Sequence, residues 1–475
     1  MAKKVVKDLS SSTLQVILNQ LFGLLIFYLT SRYLQKASYG ELNWSIAVVS
    51  VALTLLTLGL DLIIVKRIAA GADIARVGGV HVLHTLIGGS IFIAVLLTAK
   101  ALVPDFFRTH YLLVGVGISL VITFLSSPFK QIANGKEAFI YFAIMSVTGN
   151  IVKGTMLAVC ALIGVFSAKT VVGIFIFAST AELVAGVFLV FAKLNTNVKP
   201  YWNRRLYKAL LLESMPQLGV MIFDSALARV DWIILGLVSG ATITADYSFA
   251  YKIFEISRLP MLVIAPIILP KFVRYLSHQQ SLANSKENEL KLLLRFETII
   301  CVLIPIAFNI AWTPVMSTLS AGKYGAADAP IYLVLSFSVP LHYYTNFLWT
   351  MAFAQRQLKL TFYITAFVSL LNITLNLILI PRYNAMGAAC AFTASTVVQF
   401  ILYKLFVNQQ KLAVPIIPLV VCMVLAIVAS GLANAISGNF VVGSFIAILA
   451  YLALIFLCRL FNRKDLARLK LLLAK

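Results

Sequence analysis

The chain has 475 residues, of which 61% are apolar and only 12% charged, with a formal net charge of +22. A water-soluble domain carries about a quarter charged residues, so this composition excludes a soluble enzyme or binding module and points to an integral membrane protein. The basic excess raises the question of a nucleic-acid partner, which the placement of the basic residues answers.

The chain opens with MAKKVVKDLSSS, a basic stretch that runs into apolar sequence from Ser12 to Tyr33. That length, with no small-residue cleavage site after it, predicts a first membrane helix rather than a removable leader. Runs of about 20 apolar residues predict fourteen spans, centred near residues 23, 53, 91, 119, 152, 182, 228, 257, 304, 341, 370, 397, 424 and 450. The longest connection, 271–290, has room for an amphipathic surface helix but no folded domain. The C-terminal RLFNRKDLARLKLLLAK reads as a basic amphipathic helix on anionic lipid. Cys160, Cys301, Cys390, Cys422 and Cys458 stand singly in apolar runs, so no disulfide framework, metal site or cofactor is expected.

Of the 39 basic residues, 28 fall in the N-terminus, the even-numbered connections and the C-terminus. Seven fall in the odd-numbered connections (Arg32, Lys36, Lys100, Arg108, Lys169, Lys323 and Arg382) and four within spans. This asymmetry places both termini in the cytoplasm and explains the basicity without nucleic acid.

Two segments repeat a pattern. KEAFIYFAIMS carries Lys136, Phe139, Ala143 and Ser146, and KLTFYITAFVS carries Lys359, Phe362, Ala366 and Ser369 at the same spacing. An Asn-Ile pair follows each (Asn150-Ile151, Asn372-Ile373), and later AST at 178–180 and 394–396. The matched segments lie six spans apart, an even offset that makes the repeats parallel about an axis along the membrane normal. The expectation is an all-α polytopic membrane protein with two six-helix lobes, residues 1–200 and 201–410. Residues 411–475 add two further spans and a basic tail.

Nine charged residues lie well inside spans: Asp61, Lys153, Glu182, Asp224, Arg229, Asp231, Lys252, Glu255 and Arg258. Each costs roughly 2.5–3.5 kcal/mol at mid-bilayer on insertion scales. At about 100° per residue, Gln217, Asp224 and Asp231 share one face of the seventh span, and Arg229 lies about 140° from Asp224. On the eighth span Tyr251, Glu255 and Arg258 share a face, with Lys252 about 60° from Glu255. For any one residue, an ion pair between helices competes evenly with a functional role. For the set, a water-filled cavity between lobes is the cheaper explanation. Arg229, Lys252, Arg258 and Lys153, with Asn19 and Gln20 of the first span and Arg32 at its end, are the candidate substrate contacts. Asp61, Asp224, Asp231 and Glu255 are candidates for coupling to an ion. Five acids against four bases leave room for a hydrogen-bonding, sugar-binding site beside any anion site.

The stretch YLTSRYLQKASYGELNWSIAVVSVALTLLTLGLDLIIVKRIAA resembles the opening of the polysaccharide-transporter branch of the multidrug/oligosaccharidyl-lipid/polysaccharide exporter superfamily. The resemblance rests there on Arg32, Tyr39-Gly40, LGLD and Arg67. ARVDWIILG followed by ADYSFAYKIFEISRLP is similar to the family's seventh and eighth helices. NITLNLILIPRYNAMGAACAFTAS is the strongest match, with the signature at Asn372, Asn376, Ile380, Pro381, Gly387, Ala388 and Ala389. Asn384 stands where the family more often has Gly, and Asn also tolerates a left-handed turn. Gln35-Lys36 replaces a Leu-Gly-type turn. The resemblance covers essentially the whole chain and implies a Wzx-type flippase of the bacterial inner membrane. Such a protein moves an undecaprenyl-diphosphate-linked oligosaccharide of O-antigen or a related surface polysaccharide to the periplasmic leaflet, coupled to an ion gradient. A polysaccharide polymerase and a chain-length regulator are the implied partners. Rival readings are a multidrug exporter of the same superfamily, which favours twelve spans, and a polymerase or ligase enzyme. The enzymes need a sizeable periplasmic loop, and no nucleophile–base or phosphate-loop motif stands out here.

Overall fold

A computed structural model describes residues 2–261, 268–269, 271–273, 283–409, 412–460 and 465. The helix expected on the C-terminal tail, and much of the surface helix expected over 271–290, lie outside the described residues. Sixteen α-helices and no strands occur among those described. Ten helices are long and apolar enough to cross a membrane, so the chain is a multi-pass membrane protein. Their outer faces carry large apolar side chains such as Leu162, Leu102 and Ile427 that water would not tolerate as a continuous surface.

The chain forms two compact units, Met1–Ala245 and Asp246–Lys475. The first holds α1 (Ala2–Tyr33), α2 (Lys36–Thr57), α3 (Leu60–Ala69), α4 (Ile74–Leu102), α5 (Pro104–Thr109) and α6 (Leu113–Gly135). It continues with α7 (Phe139–Leu162), α8 (Ala168–Phe188), a π turn (Leu189–Lys193) and α9 (Arg204–Val238). Helix α10 (Ala241–Ser257) crosses the boundary. The second unit adds α11 (Ala283–Leu319), α12 (Ala329–Ser336), α13 (Ser338–Ala354), α14 (Leu358–Phe406), α15 (Ile417–Ile436) and α16 (Phe440–Leu457).

Several helices begin where a polar side chain satisfies their first free N–H groups. Asp73 accepts from Ala75 and Arg76 at the start of α4, Ser167 from Thr170 at α8, and Asn203 from Leu206 at α9. The span expected near residue 53 is broken: Leu58 and Gly59 both have positive φ and separate α2 from α3. Gly59 is needed there, because a Cβ would press on the α9 backbone at Ser214 and Leu218. The expected spans near 370 and 397 merge in α14, interrupted only at Asn384, whose φ of 51° and ψ of -132° bend the chain out of the helix. The positive φ is one that Asn accepts, although the ψ is not that of a left-handed helical turn. Gly387 lets that bend close, since a Cβ would strike the Leu379 carbonyl.

In the first unit α6 packs on α4 and α8, α1 on α7, and α9 on α2 and α3. Leu60, Ile64, Val80, Ile132, Met145 and Val190 form its innermost apolar cluster. Trp44 of α2 donates Nε1–H to the Ile233 carbonyl at 3.1 Å and lies on Gly236, which anchors the end of α9. In the second unit α11 packs against α13, α15 and α16, while α14 packs on α12 and α13.

Candidate functional site

The break at Leu58–Gly59 starts α3 afresh, so Asp61 falls in its first turn. There it accepts from Ser127 Oγ of α6 at 2.8 Å and faces His81 Nε2 of α4 at 3.1 Å. His81 is 1% exposed, and its Nδ1 has no hydrogen-bond partner among the described residues. One turn along α6, Lys130 forms an ion pair with Glu182 of α8, and Ser126 Oγ donates to the same carboxylate at 2.9 Å. Gly149 of α7 admits Glu182, because a Cβ there would collide with the carboxylate. Lys153, one turn further on α7, sits over the Phe175 ring at 5.1 Å and within electrostatic range of Glu182 and Lys130. Asp61, His81, Lys130, Glu182 and Lys153 thus make one charged layer carried by five helices.

His84 extends this layer. Its Nε2 donates to the Leu56 carbonyl at 2.8 Å, which leaves neutral Nδ1 to accept from Tyr207 Oη at 3.1 Å. Its ring lies 6.5 Å from that of His81. The layer is chemically suited to holding and moving a proton, and its cations to meeting an anion.

The other predicted residues lie as follows. Asn19 accepts from Asn150 Nδ2 at 3.0 Å, Gln20 is half-buried, and Arg32 lies over Tyr28 at 5.9 Å. Asp224 is exposed while Asp231 is 0% exposed, although the wheel puts them on one face. Asp231 lies in the enclosed end of α9, where Trp232, Leu235 and Gly236 are also buried. Asp231 accepts from the Trp232 N–H at 2.8 Å, and Arg229 lies over the Trp232 ring at 4.5 Å. Lys252 and Glu255, read apart as substrate and ion contacts, form an ion pair at 2.7 Å. Arg258 lies just past α10, over Phe254 at 5.5 Å.

Three features went unread in the sequence. Lys130, counted with the cytoplasmic connections, lies inside α6. His81 and His84, three apart in an apolar helix, were the available signal for the layer around Asp61. Glu297, a single acid in α11, is 0% exposed. The second unit also contains a cavity of about 380 Å³, lined by Val302, Pro305, Asn309, Phe337, Ile427 and others and by no charged side chain, so it is not where a diphosphate would be held. Among the described residues, no cluster of His, Cys, Asp and Glu is placed to hold a metal ion.

The family model for polysaccharide biosynthesis proteins matches residues 5–276. No curated protein matches the chain. Among solved structures, the lipid II flippase MurJ in an inward closed conformation is similar at a TM-score of 0.72 and 14% identity, over 93% of this chain and 97% of that one. An inward-facing multidrug resistance MATE family transporter of the MOP superfamily is similar at 0.66 and 14%, over 83% and 94%. A MOP superfamily transporter from Pyrococcus furiosus is similar at 0.56 and 14%, over 86% and 97%. At these identities the likeness establishes the fold, which is that of MOP-type transporters.

Proposed function

Because this chain belongs to the polysaccharide biosynthesis protein family of the multidrug/oligosaccharidyl-lipid/polysaccharide exporter superfamily, we propose that it is a flippase for an undecaprenyl-diphosphate-linked oligosaccharide. It moves the repeat unit of O-antigen or a related surface polysaccharide from the cytoplasmic to the periplasmic leaflet of a bacterial inner membrane. The observation that carries this reading is the family match itself, supported by a fold like that of a lipid II flippase. In this reading the chain is not an enzyme. Both termini are cytoplasmic, fourteen spans form the two six-helix lobes and the added pair, and access alternates between lobes. The polymerase and chain-length regulator act on the product.

The chemistry follows from the side chains. Lys153 and Lys252 hold the diphosphate as point charges, and Arg229 and Arg258 hold it by bidentate contacts. Asn19 and Gln20 offer donors and acceptors to sugar hydroxyls. Coupling to a proton gradient runs through Asp61, which passes a proton to and from His81 across their 3.1 Å contact. Asp224, Asp231 and Glu255 are the remaining acids of the coupling set.

Alanine at Arg229, Lys252 or Arg258 is expected to block surface-polysaccharide export while the protein still inserts, and normal export from all three variants would sink the head-group assignment. Asp61→Asn should leave export independent of the pH gradient, and an unchanged dependence would make Asp61 structural. The rival reading, drug export, has the fold of the MATE transporter in its favour. It predicts drug accumulation in a deletion strain with surface polysaccharide intact.

A further inference from the structure

Glu297 lies within α11, between Leu294 and Cys301, and is 0% exposed. Neither carboxyl oxygen has a hydrogen-bond partner among the described residues. The polar groups near it are already engaged. Thr298 Oγ1 donates to the Leu294 carbonyl at 2.7 Å and pairs with Tyr344 Oη at 2.9 Å. Cys301 Sγ turns to the Thr298 carbonyl, Tyr343 Oη donates to the Ser257 carbonyl at 3.2 Å, and Tyr451 Oη to the Ile299 carbonyl at 3.3 Å.

The titratable groups facing Glu297 are Cys301 on its own helix and Tyr343 and Tyr344 of α13. Cys422 of α15 and Tyr451 of α16 lie one shell further out, within range of Cys301 and Tyr344. None is a cation. A carboxylate in this place would give up hydration with nothing in return, whereas a neutral carboxylic acid gives up far less. Membrane-buried acids of this kind are rare and mark proton paths.

Tyr343 also links this site to a cation. Tyr343 lies within electrostatic range of both Glu297 and Arg258, and its hydroxyl bonds the residue before Arg258. Arg258 has a buried Nε with no acceptor among the described residues. It sits in a turn one residue past the last residue of α10, where its N–H donates to the Glu255 carbonyl at 3.1 Å and its carbonyl accepts from the Met261 N–H at 3.1 Å, so any change of partner falls to its side chain.

We propose that Glu297 is a proton-binding site: it is protonated in the conformation described, and its carboxylate, once formed, takes Arg258 as partner across Tyr343 and withdraws that cation from a bound diphosphate. The proton leaves Glu297 Oε for water, and the negative charge left behind is neutralised by Arg258. Proton loss and release of the anion are then one event. The second half rests on the head-group role given to Arg258, and the first half does not.

The test uses the full chain in proteoliposomes, with infrared difference spectra between mildly acid and mildly alkaline pH and with binding of farnesyl diphosphate as the probe. The wild type should lose a protonated-carboxyl carbonyl band as pH rises. Glu297→Gln should lack that band, and Glu297→Asp should restore a shifted one. Above the midpoint of that band, diphosphate affinity should fall about tenfold per pH unit in the wild type and stay flat in Glu297→Gln. A band that persists in Glu297→Gln overturns the proton site. A band that depends on Glu297, with the same pH slope of binding in wild type and variant, overturns the exchange with Arg258. The spectra need no substrate, so they stand apart from any failure of the flippase reading.

Discussion

In the first unit Glu41, Asp61 and Glu182 each meet one base and one serine. Glu41 has His110 at 3.0 Å and Ser45 at 3.2 Å, Asp61 has His81 and Ser127, and Glu182 has Lys130 and Ser126. In the second unit Asp328 is held by the Gly325 N–H at 2.6 Å and Trp312 Nε1 at 3.3 Å, and Glu297 has neither base nor serine. A buried acid matched by a base and a serine has hydrogen-bond partners from neighbouring helices and ties those helices together. A buried acid without one has to carry its own proton, which makes it responsive to pH. Glu297 therefore stands apart from the three partnered acids of the first unit, and substitutions can break or sharpen that contrast.

The largest effect is expected from Glu182→Ala, which leaves Lys130 and Lys153 as buried cations without their acid. Unfolding in denaturant should show a loss of about 3–5 kcal/mol, much of it recovered by adding Lys130→Met. A loss below about 1 kcal/mol would mean that the pair does not tie α6 to α8. Glu41→Ala leaves His110 Nδ1 and Ser45 Oγ without their buried partner, and about 1–3 kcal/mol should be lost.

Glu297→Gln is the counter-case. It orphans no base and matches the neutral acid in shape, so stability should change by about 0.5 kcal/mol or less. A loss as large as that of Glu182→Ala would erase the difference between the units.

The smallest effect belongs to Glu213, which pairs with Lys66 and Arg67, each at 2.7 Å, outside the membrane spans. The Lys66 ammonium, and then Arg67, hold its carboxyl below the ordinary value of 4.5. A lowered pKa stabilises the folded state above the unfolded value, and that contribution disappears as pH falls through the lowered one. Because the cations are exposed, Glu213→Gln should cost about 1 kcal/mol or less at neutral pH and nothing at low pH. A cost that grows on acidification would contradict the pairing.

The helices were legible because apolar runs of membrane length leave few alternatives, and because the turn at Asn384 was visible as a residue that accepts positive φ. The break at Leu58 was not, since leucine carries no such signal and the close approach of α9 to Gly59 dictates it. Asp61 and Lys153 stood out as charges in greasy sequence. Their surroundings did not, because Asp61 meets Ser127 across 66 residues and Glu182 meets Lys130 across 52. Local periodicity carries no record of partners that far apart. The wheel of α9 grouped Asp224 with Asp231, but a wheel carries no information on burial along the axis, and one is exposed while the other is enclosed.

The most direct test of the flippase reading is the leaflet distribution of lipid-linked oligosaccharide in cells with and without this protein, read by a probe confined to the periplasmic side. Periplasmic exposure should collapse on deletion and return with the wild-type chain but not with the Arg258→Ala variant. Equal exposure with and without the protein would contradict the account.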